Sequence, residues 1–230
     1  KKMQPKNPMS VVSVNVGLPR EVIWRGETIS TGIFKQPVQG RVAVRRLNLD
    51  GDRQADLTVH GGPDKAIYAY PAEYYHFWRE EFPDMELPWA MFGENVTVEG
   101  LLDDTVHIGD RFRMGSAEVM VTQPRVPCYK LGIKFGRDDI IKRFLASGFT
   151  GFYLAVLEEG EVAAGDAITL IERDEHRVKV SDITRLYARD KGNLEALQRA
   201  IEVEALAEDW RSYFQKRLTK LSSRRQAKKI

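Results

Sequence analysis

Apolar residues along this chain recur with two different periods, and the change falls near residue 180. Up to about Val180 they come in short alternating or β-branched runs punctuated by Gly, Asp and Pro, the pattern of antiparallel strands in a barrel. On this reading Val11–Val16, Val42 with Val44, and Val96 with Val98 are strands, and Phe112 with Met114 faces Val119 and Val121 across Gly115-Ser116. Phe152–Leu157, Ile168–Ile171 and Val178–Val180 follow. The Gly-Asp pairs at 51–52, 109–110 and 165–166 mark turns. Two stretches break the alternation. Pro71 opens a helix carrying Tyr74, Tyr75, Trp78 and Phe82 and closed by Pro83; Asp138 and Asp139 open another whose apolar face is Ile140, Ile141, Phe144 and Leu145.

From Ser181 the period lengthens to roughly three and a half residues, as on a helix. Ser181 caps a helix carrying Ile183, Leu186 and Tyr187 and ended by Gly192; Asn193 caps a second with Leu194, Leu197 and Ile201. A third holds Leu206, Trp210, Tyr213 and Phe214. Three helices this short bury too little surface to stand alone, so they must dock on the strands or on a partner. The expected fold is mainly β with α: a β-barrel over residues 10–180 with helical inserts, a three-helix unit over 181–218, and a basic tail, 219–230, expected to be disordered.

Composition narrows this picture. With 43% hydrophobic residues in 230, the chain can build a sizeable core, but no apolar run approaches the ~20 residues of a membrane span. The N-terminal KKMQPKNPMS lacks the apolar centre of a secretory signal, which makes the cytoplasm the expected compartment. The net charge of +2 hides an asymmetry. Residues 216–230 hold seven Lys or Arg and no acid, leaving 28 basic against 33 acidic residues, a net −5, in the preceding 215. A nucleic-acid-binding body would itself be basic, so nucleic acid is not the expected partner.

The single cysteine, Cys128, excludes an internal disulfide and any Cys-rich zinc or iron–sulfur centre. It lies in QPRVPCYKL, residues 123–131, where two prolines stiffen the backbone and Arg125 and Lys130 favour thiolate; Tyr129 is either a hydrogen-bonding partner or a core aromatic. A buried, inert thiol is the alternative. Three other segments stand out. In HGGPDK, residues 60–65, paired glycines expose backbone N–H groups beside His60 and Lys65, suiting an anion such as phosphate; a tight turn explains the glycines equally well. FGEN places Glu94 and Asn95 at the start of a strand, and Lys35 interrupts the apolar stretch TGIFKQPV. The chain has no Walker-type loop, no G-x-G-x-x-G, no G-x-S-x-G and no H-E-x-x-H, and its four histidines lack ligand spacing. A Cys128–His60 nucleophile pair stays open, because such partners meet in space and not in sequence.

Taken in order, Gly51–Asp56 (GDRQAD), His60–Lys65, Phe92–Asn95 and Gln123–Leu131, together with the three-helix appendage, resemble the MOSC-domain family, and within it the YiiM type, over roughly residues 10–218. The resemblance implies a MOSC-type β-barrel that binds molybdenum cofactor, a pyranopterin with a dithiolene and a phosphate. It gives Cys128 the role of thiolate ligand to molybdenum and catalytic residue, and makes Lys35, His60, Gly61, Lys65, Asn95, Arg125, Tyr129 and Lys130 contacts to the cofactor. It further implies a reductase of N-hydroxylated compounds, such as 6-N-hydroxylaminopurine, that works as a homodimer with a separate electron-donor reductase and detoxifies base analogues. The alternative within the family is a molybdenum cofactor carrier or persulfide-handling protein without reductase turnover.

Overall fold

The structure, a computed structural model, describes residues 9–55 and 61–227. Its elements, in chain order, are β1 (Ser10–Val16), β2 (Arg20–Trp24), β3 (Glu27–Thr31), β4 (Gln36–Pro37), β5 (Val42–Val44), β6 (Ile67–Pro71), α1 (Tyr74–Glu81), β7 (Val96–Glu99), β8 (Arg111–Met114) and β9 (Ala117–Pro124). They continue with α2 (Tyr129–Phe135), α3 (Asp139–Ser147), β10 (Phe152–Glu158), β11 (Gly160–Val162), β12 (Ile168–Glu172), α4 (Val180–Ala188), α5 (Leu194–Glu202) and α6 (Glu208–Ala227). A single 3-10 turn, Pro63–Lys65, precedes β6.

Eight strands form one mixed sheet in the order β12-β8-β9-β10-β6-β7-β1-β4, antiparallel except for the parallel pair β6–β7. β2–β3 and β5–β11 are separate two-stranded pairs. The expected barrel is met only in part. The sheet bends far enough for the start of β1 to reach the segment before β12, where Val11 N donates to Asp166 O (2.9 Å), Gly165 N to Val11 O (2.7 Å) and Ile168 N to Met9 O (2.8 Å). Pairing there is a single bridge, Ser10–Ala167, and not a continuous ladder.

The period of two explains how β6 serves two cores at once. Ile67 and Ala69 join Val11, Val14, Phe112, Val121 and Phe152 inside the sheet, and this core runs on into the helices through Ile183, Leu186, Leu197 and Phe214. Tyr68 and Tyr70 point the other way, into an aromatic cluster with Tyr75 and Trp78 of α1, Phe92, Phe135 of α2 and Phe144 of α3. Trp78 Nε1 donates to Tyr70 Oη (2.6 Å), and Tyr70 stacks on Phe92 with ring centroids 4.4 Å apart. The aromatic stripe of α1 is therefore core, as its spacing indicates.

Several local expectations are corrected. Pro71 ends β6 and does not begin α1; β10 pairs only with Ile67–Ala69, so the missing N–H of Pro71 breaks no bond of that ladder. Val178–Val180 makes a single bridge, Lys179 to His107, because Val180 already starts α4. The cap of α4 is Lys179, not Ser181: the Asp182 carboxylate turns back to accept the Lys179 N–H (3.1 Å). α4 ends at Ala188, before Gly192. Asn193 does cap α5, its Oδ1 accepting from Ala196 N (3.0 Å). α6 continues to Ala227, so residues 219–227 are helical where a disordered tail is expected. Leu218 and Leu221 still pack on the core there, which draws the helix past the anticipated boundary.

Candidate active site

A cleft forms where several segments meet, most of them at places where regular structure stops, with Tyr68 of β6 and Tyr153 of β10 among its lining residues. β9 ends at Pro124, and Arg125 N donates to Gly151 O (3.2 Å), turning the chain so that Val126, Cys128 and Lys130 follow along one wall. Arg125 is only 6% exposed. Its guanidinium lies over the rings of Tyr68 (5.0 Å) and Phe144 (5.3 Å), and Nη1 has no hydrogen-bond partner among the described residues. Cys128, half-buried, is the residue immediately before α2. Burial pushes the Tyr68 hydroxyl well above the usual phenol range and raises that of Tyr153 too, so both stay neutral beside the cation.

Thr31–Ile33 and Lys35 also line the cleft, with Arg53–Ala55 beside them. Lys35 is 7% exposed and pairs with Asp52. Burial lowers the Lys35 pKa, and the charge and hydrogen bond of Asp52 oppose that fall. Asp52 binds more than the lysine: Oδ1 also accepts Gly17 N (3.0 Å), and Oδ2 accepts Asn95 Nδ2 (2.8 Å). Asn95 Oδ1 in turn accepts Tyr68 N (3.0 Å). One carboxylate thus fixes two residues of the cleft. Behind it Glu94 is fully buried and accepts from Tyr75 Oη, Ala90 N (2.9 Å), Phe92 N (3.1 Å) and Thr97 Oγ1 (3.0 Å). Burial still raises its pKa. The 3-10 turn brings Lys65 into the lining, and Gly62 before it has a φ of 100° that a side chain would strain.

Of the residues singled out from sequence, Lys35, Lys65, Asn95, Arg125, Cys128 and Lys130 line this cleft. Gly61 and Tyr129 do not; Tyr129 is 53% exposed outside it. His60 lies outside the described residues, which leaves the Cys128–His60 pair without a geometry. Sequence reasoning passed over Tyr68 and Tyr153, and took Asp52 and Arg53 only as part of the GDRQAD motif. The two tyrosines carry the signature of core aromatics, and Asp52 that of a turn. The described lining holds five cations, Lys35, Arg53, Lys65, Arg125 and Lys130, and no carboxylate. Among the described residues no three of His, Cys, Asp or Glu are grouped to hold a metal.

The class is thus a mixed-sheet protein with a cation-lined cleft that holds a thiol, and with three helices packed on its core. The chain belongs to the MOSC-domain family, in its YiiM type: residues 56–169 match the MOSC domain and residues 180–221 match the YiiM-like, 3-alpha helix domain. It is 46% identical over 212 residues to the uncharacterized protein YflK of Bacillus subtilis, covering 92% of this chain and 96% of YflK. The crystal structure of YiiM from Geobacillus stearothermophilus superposes with a TM-score of 0.78 at 36% identity, covering 92% of this chain and 100% of that one. A protein of Gibberella moniliformis named as a reductase is 31% identical over 182 residues, which are 78% of this chain and 32% of that protein.

Proposed function

We propose that the chain is a molybdenum cofactor-dependent reductase of N-hydroxylated compounds, with 6-N-hydroxylaminopurine as a representative substrate and adenine as its product. One observation carries the reading: a buried guanidinium, with one nitrogen unpartnered among the described residues, shares a cleft whose described lining holds no carboxylate with the chain's only thiol. A buried cation without a counter-charge is costly, and an anion bound in the cleft offsets that cost. The donor set fits a phosphate-bearing dithiolene cofactor, because the protein supplies one soft sulfur while the group brings its own sulfur ligands. MOSC domains are associated with that cofactor, and the fungal relative's name adds support for reductase chemistry.

Cys128 Sγ is the metal donor in this reading. Lys35, Lys65 and Arg125 hold the phosphate and pterin oxygens, with His60, Gly61, Asn95, Tyr129 and Lys130 as further contacts. Arg125 stays protonated at any working pH, and Asp52 opposes the loss of charge that burial favours at Lys35. When bound, the cofactor supplies a metal competent for oxygen-atom and two-electron transfer. The overall change takes two electrons and two protons, converts N–OH to N–H and releases water. No flavin, haem or nicotinamide motif is evident in the sequence, so a separate reductase supplies the electrons. A homodimer and a cytoplasmic location belong to the same reading; no described helix is long and apolar enough to cross a membrane.

The test is elemental analysis joined to activity. Protein made in a host that synthesises the cofactor should carry molybdenum and, with a chemical reductant, convert 6-N-hydroxylaminopurine to adenine, and Cys128→Ala should lose both. A Cys128→Ala protein that kept metal and rate would overturn the ligand role. A wild type without turnover but with a labile extra sulfur on Cys128, seen by alkylation and mass spectrometry, would favour the persulfide alternative.

A further inference from the structure

The helices α4–α6 bury an apolar face on the sheet, and that alone would dock them. Yet two chains of hydrogen bonds leave this appendage for the cleft, one ending on the residue before Lys65 and the other on the backbone of Arg125. In the first, Trp210 Nε1 of α6 donates to Gln123 Oε1 (3.0 Å), which fixes the direction of the amide. Gln123 Nε2 then faces Asp64 O (3.3 Å), where Thr122 Oγ1 also donates (2.7 Å). Ala207 N holds Thr122 O (3.3 Å). Asp64 immediately precedes Lys65, whose own N–H closes the turn on Gly62 O (3.1 Å). In the second, Thr184 Oγ1 of α4 meets Thr150 Oγ1 (3.3 Å), and Ser181 N donates to Asp103 O (2.8 Å). Asp103 Oδ2 accepts Thr150 N (2.9 Å) and Gly151 N (3.0 Å). The two carbonyls of that pair receive cleft residues: Thr150 O takes Tyr68 Oη (2.8 Å) and Gly151 O takes Arg125 N (3.2 Å).

We propose that the helical appendage is a positioning element for the cleft, with Trp210 and Gln123 setting Lys65, and Thr184 and Thr150 setting Arg125 and Tyr68. Buried polar bonds between two packed units are more directional than apolar contact, so they fix where a loop sits as well as whether it is covered. The consequence for cofactor retention rests on the reading above; the positioning itself does not.

The experiment uses the full chain. Trp210→Phe keeps a ring against Tyr187 and Phe214 and removes only the N–H donor. Amide hydrogen exchange over residues 61–67 should quicken about 3- to 10-fold, the worth of one net hydrogen bond, while the rest of the chain and the melting temperature match a Tyr213→Phe control. Molybdenum content after expression in a cofactor-producing host should fall by a similar factor. Thr184→Val should instead quicken exchange around Thr150 and Gly151. Gln123→Met, which leaves every residue of the appendage in place, reads the first relay if Trp210→Phe does not fold. Unchanged exchange at 61–67, or a loss of protection spread evenly and tracking the melting temperature, would overturn the proposal. A wild type that takes up no molybdenum would sink the cofactor reading and leave exchange to decide the positioning.

Discussion

Asp52 sits at the end of a turn, yet its side chain is completely buried and gathers Lys35, Asn95 and Gly17. Asp52→Asn removes the charge and keeps the shape. Breaking a buried ion pair from one side costs about 3–5 kcal/mol, and we expect a loss near the lower end, because Lys35 can shed its proton into an environment that already lowers its pKa. Urea unfolding at neutral pH measures it; a loss below about 0.5 kcal/mol, typical of exposed pairs, would refute the buried pairing. Asp103 gives a pH signature. Burial raises its carboxyl from 3.8 to about 7, and Oδ1 has no partner among the described residues. Between those two values the folded chain keeps a proton that the unfolded chain releases, so this group's contribution to stability is whole below pH 3.8 and is lost as pH rises through about 7. Asp103→Asn should therefore flatten the fall in melting temperature between pH 5 and 8. Parallel wild-type and variant profiles would show that Asp103 does not titrate there.

Among the elements, the link between β9 and β10 tolerates little change at its last residue. Gly151 has a φ of 63°, and a Cβ there would stand 2.5 Å from Ala69 O and 2.8 Å from Tyr70 Cδ2. A carbonyl within the β6–β10 pairing cannot yield, so Gly151→Ala should cost about 2–3 kcal/mol in a denaturant titration and displace Arg125 with it; a cost under 0.5 kcal/mol, as on an open surface, would contradict the packing. Elements with one buried face were legible in the sequence, as with β1, α1 and α3, since burial writes its period into the residues. β2 and β3 were not: their residues are mostly exposed on both faces, up to 80% at Ile23, so no alternation marks them. α2 was hidden because its large buried residues Leu131, Ile133 and Phe135 step by two, as a strand's would. The four motif segments of the cleft could be recognised because each carries local chemistry. The Asp52–Asn95 bond could not, since it joins residues distant in sequence, and Tyr68 and Tyr153 look like any core aromatic.

For the molecule as a whole, the strands and the appendage share one core. Ile183, Leu186, Leu197, Val203, Leu206, Trp210 and Phe214 are all buried in the cluster that holds Val11 and Val121. At about 1.5–3 kcal/mol for each large apolar side chain, their burial rivals the ~5–15 kcal/mol that holds a typical domain folded. A chain ending at Val180 should therefore bind a hydrophobic dye and lack near-ultraviolet dichroism; a monomeric, cooperatively unfolding fragment would show the strands to be self-sufficient.

The contact between the start of β1 and the segment before β12 has a consequence in time. Val11 is among the first described residues to be made, and its partner Asp166 emerges from the ribosome only after most of the chain. β1 must also wait for β7, its neighbour in the sheet. β1 thus spends synthesis with an open edge, and the sheet is completed late, through pairings between distant segments that make folding slow.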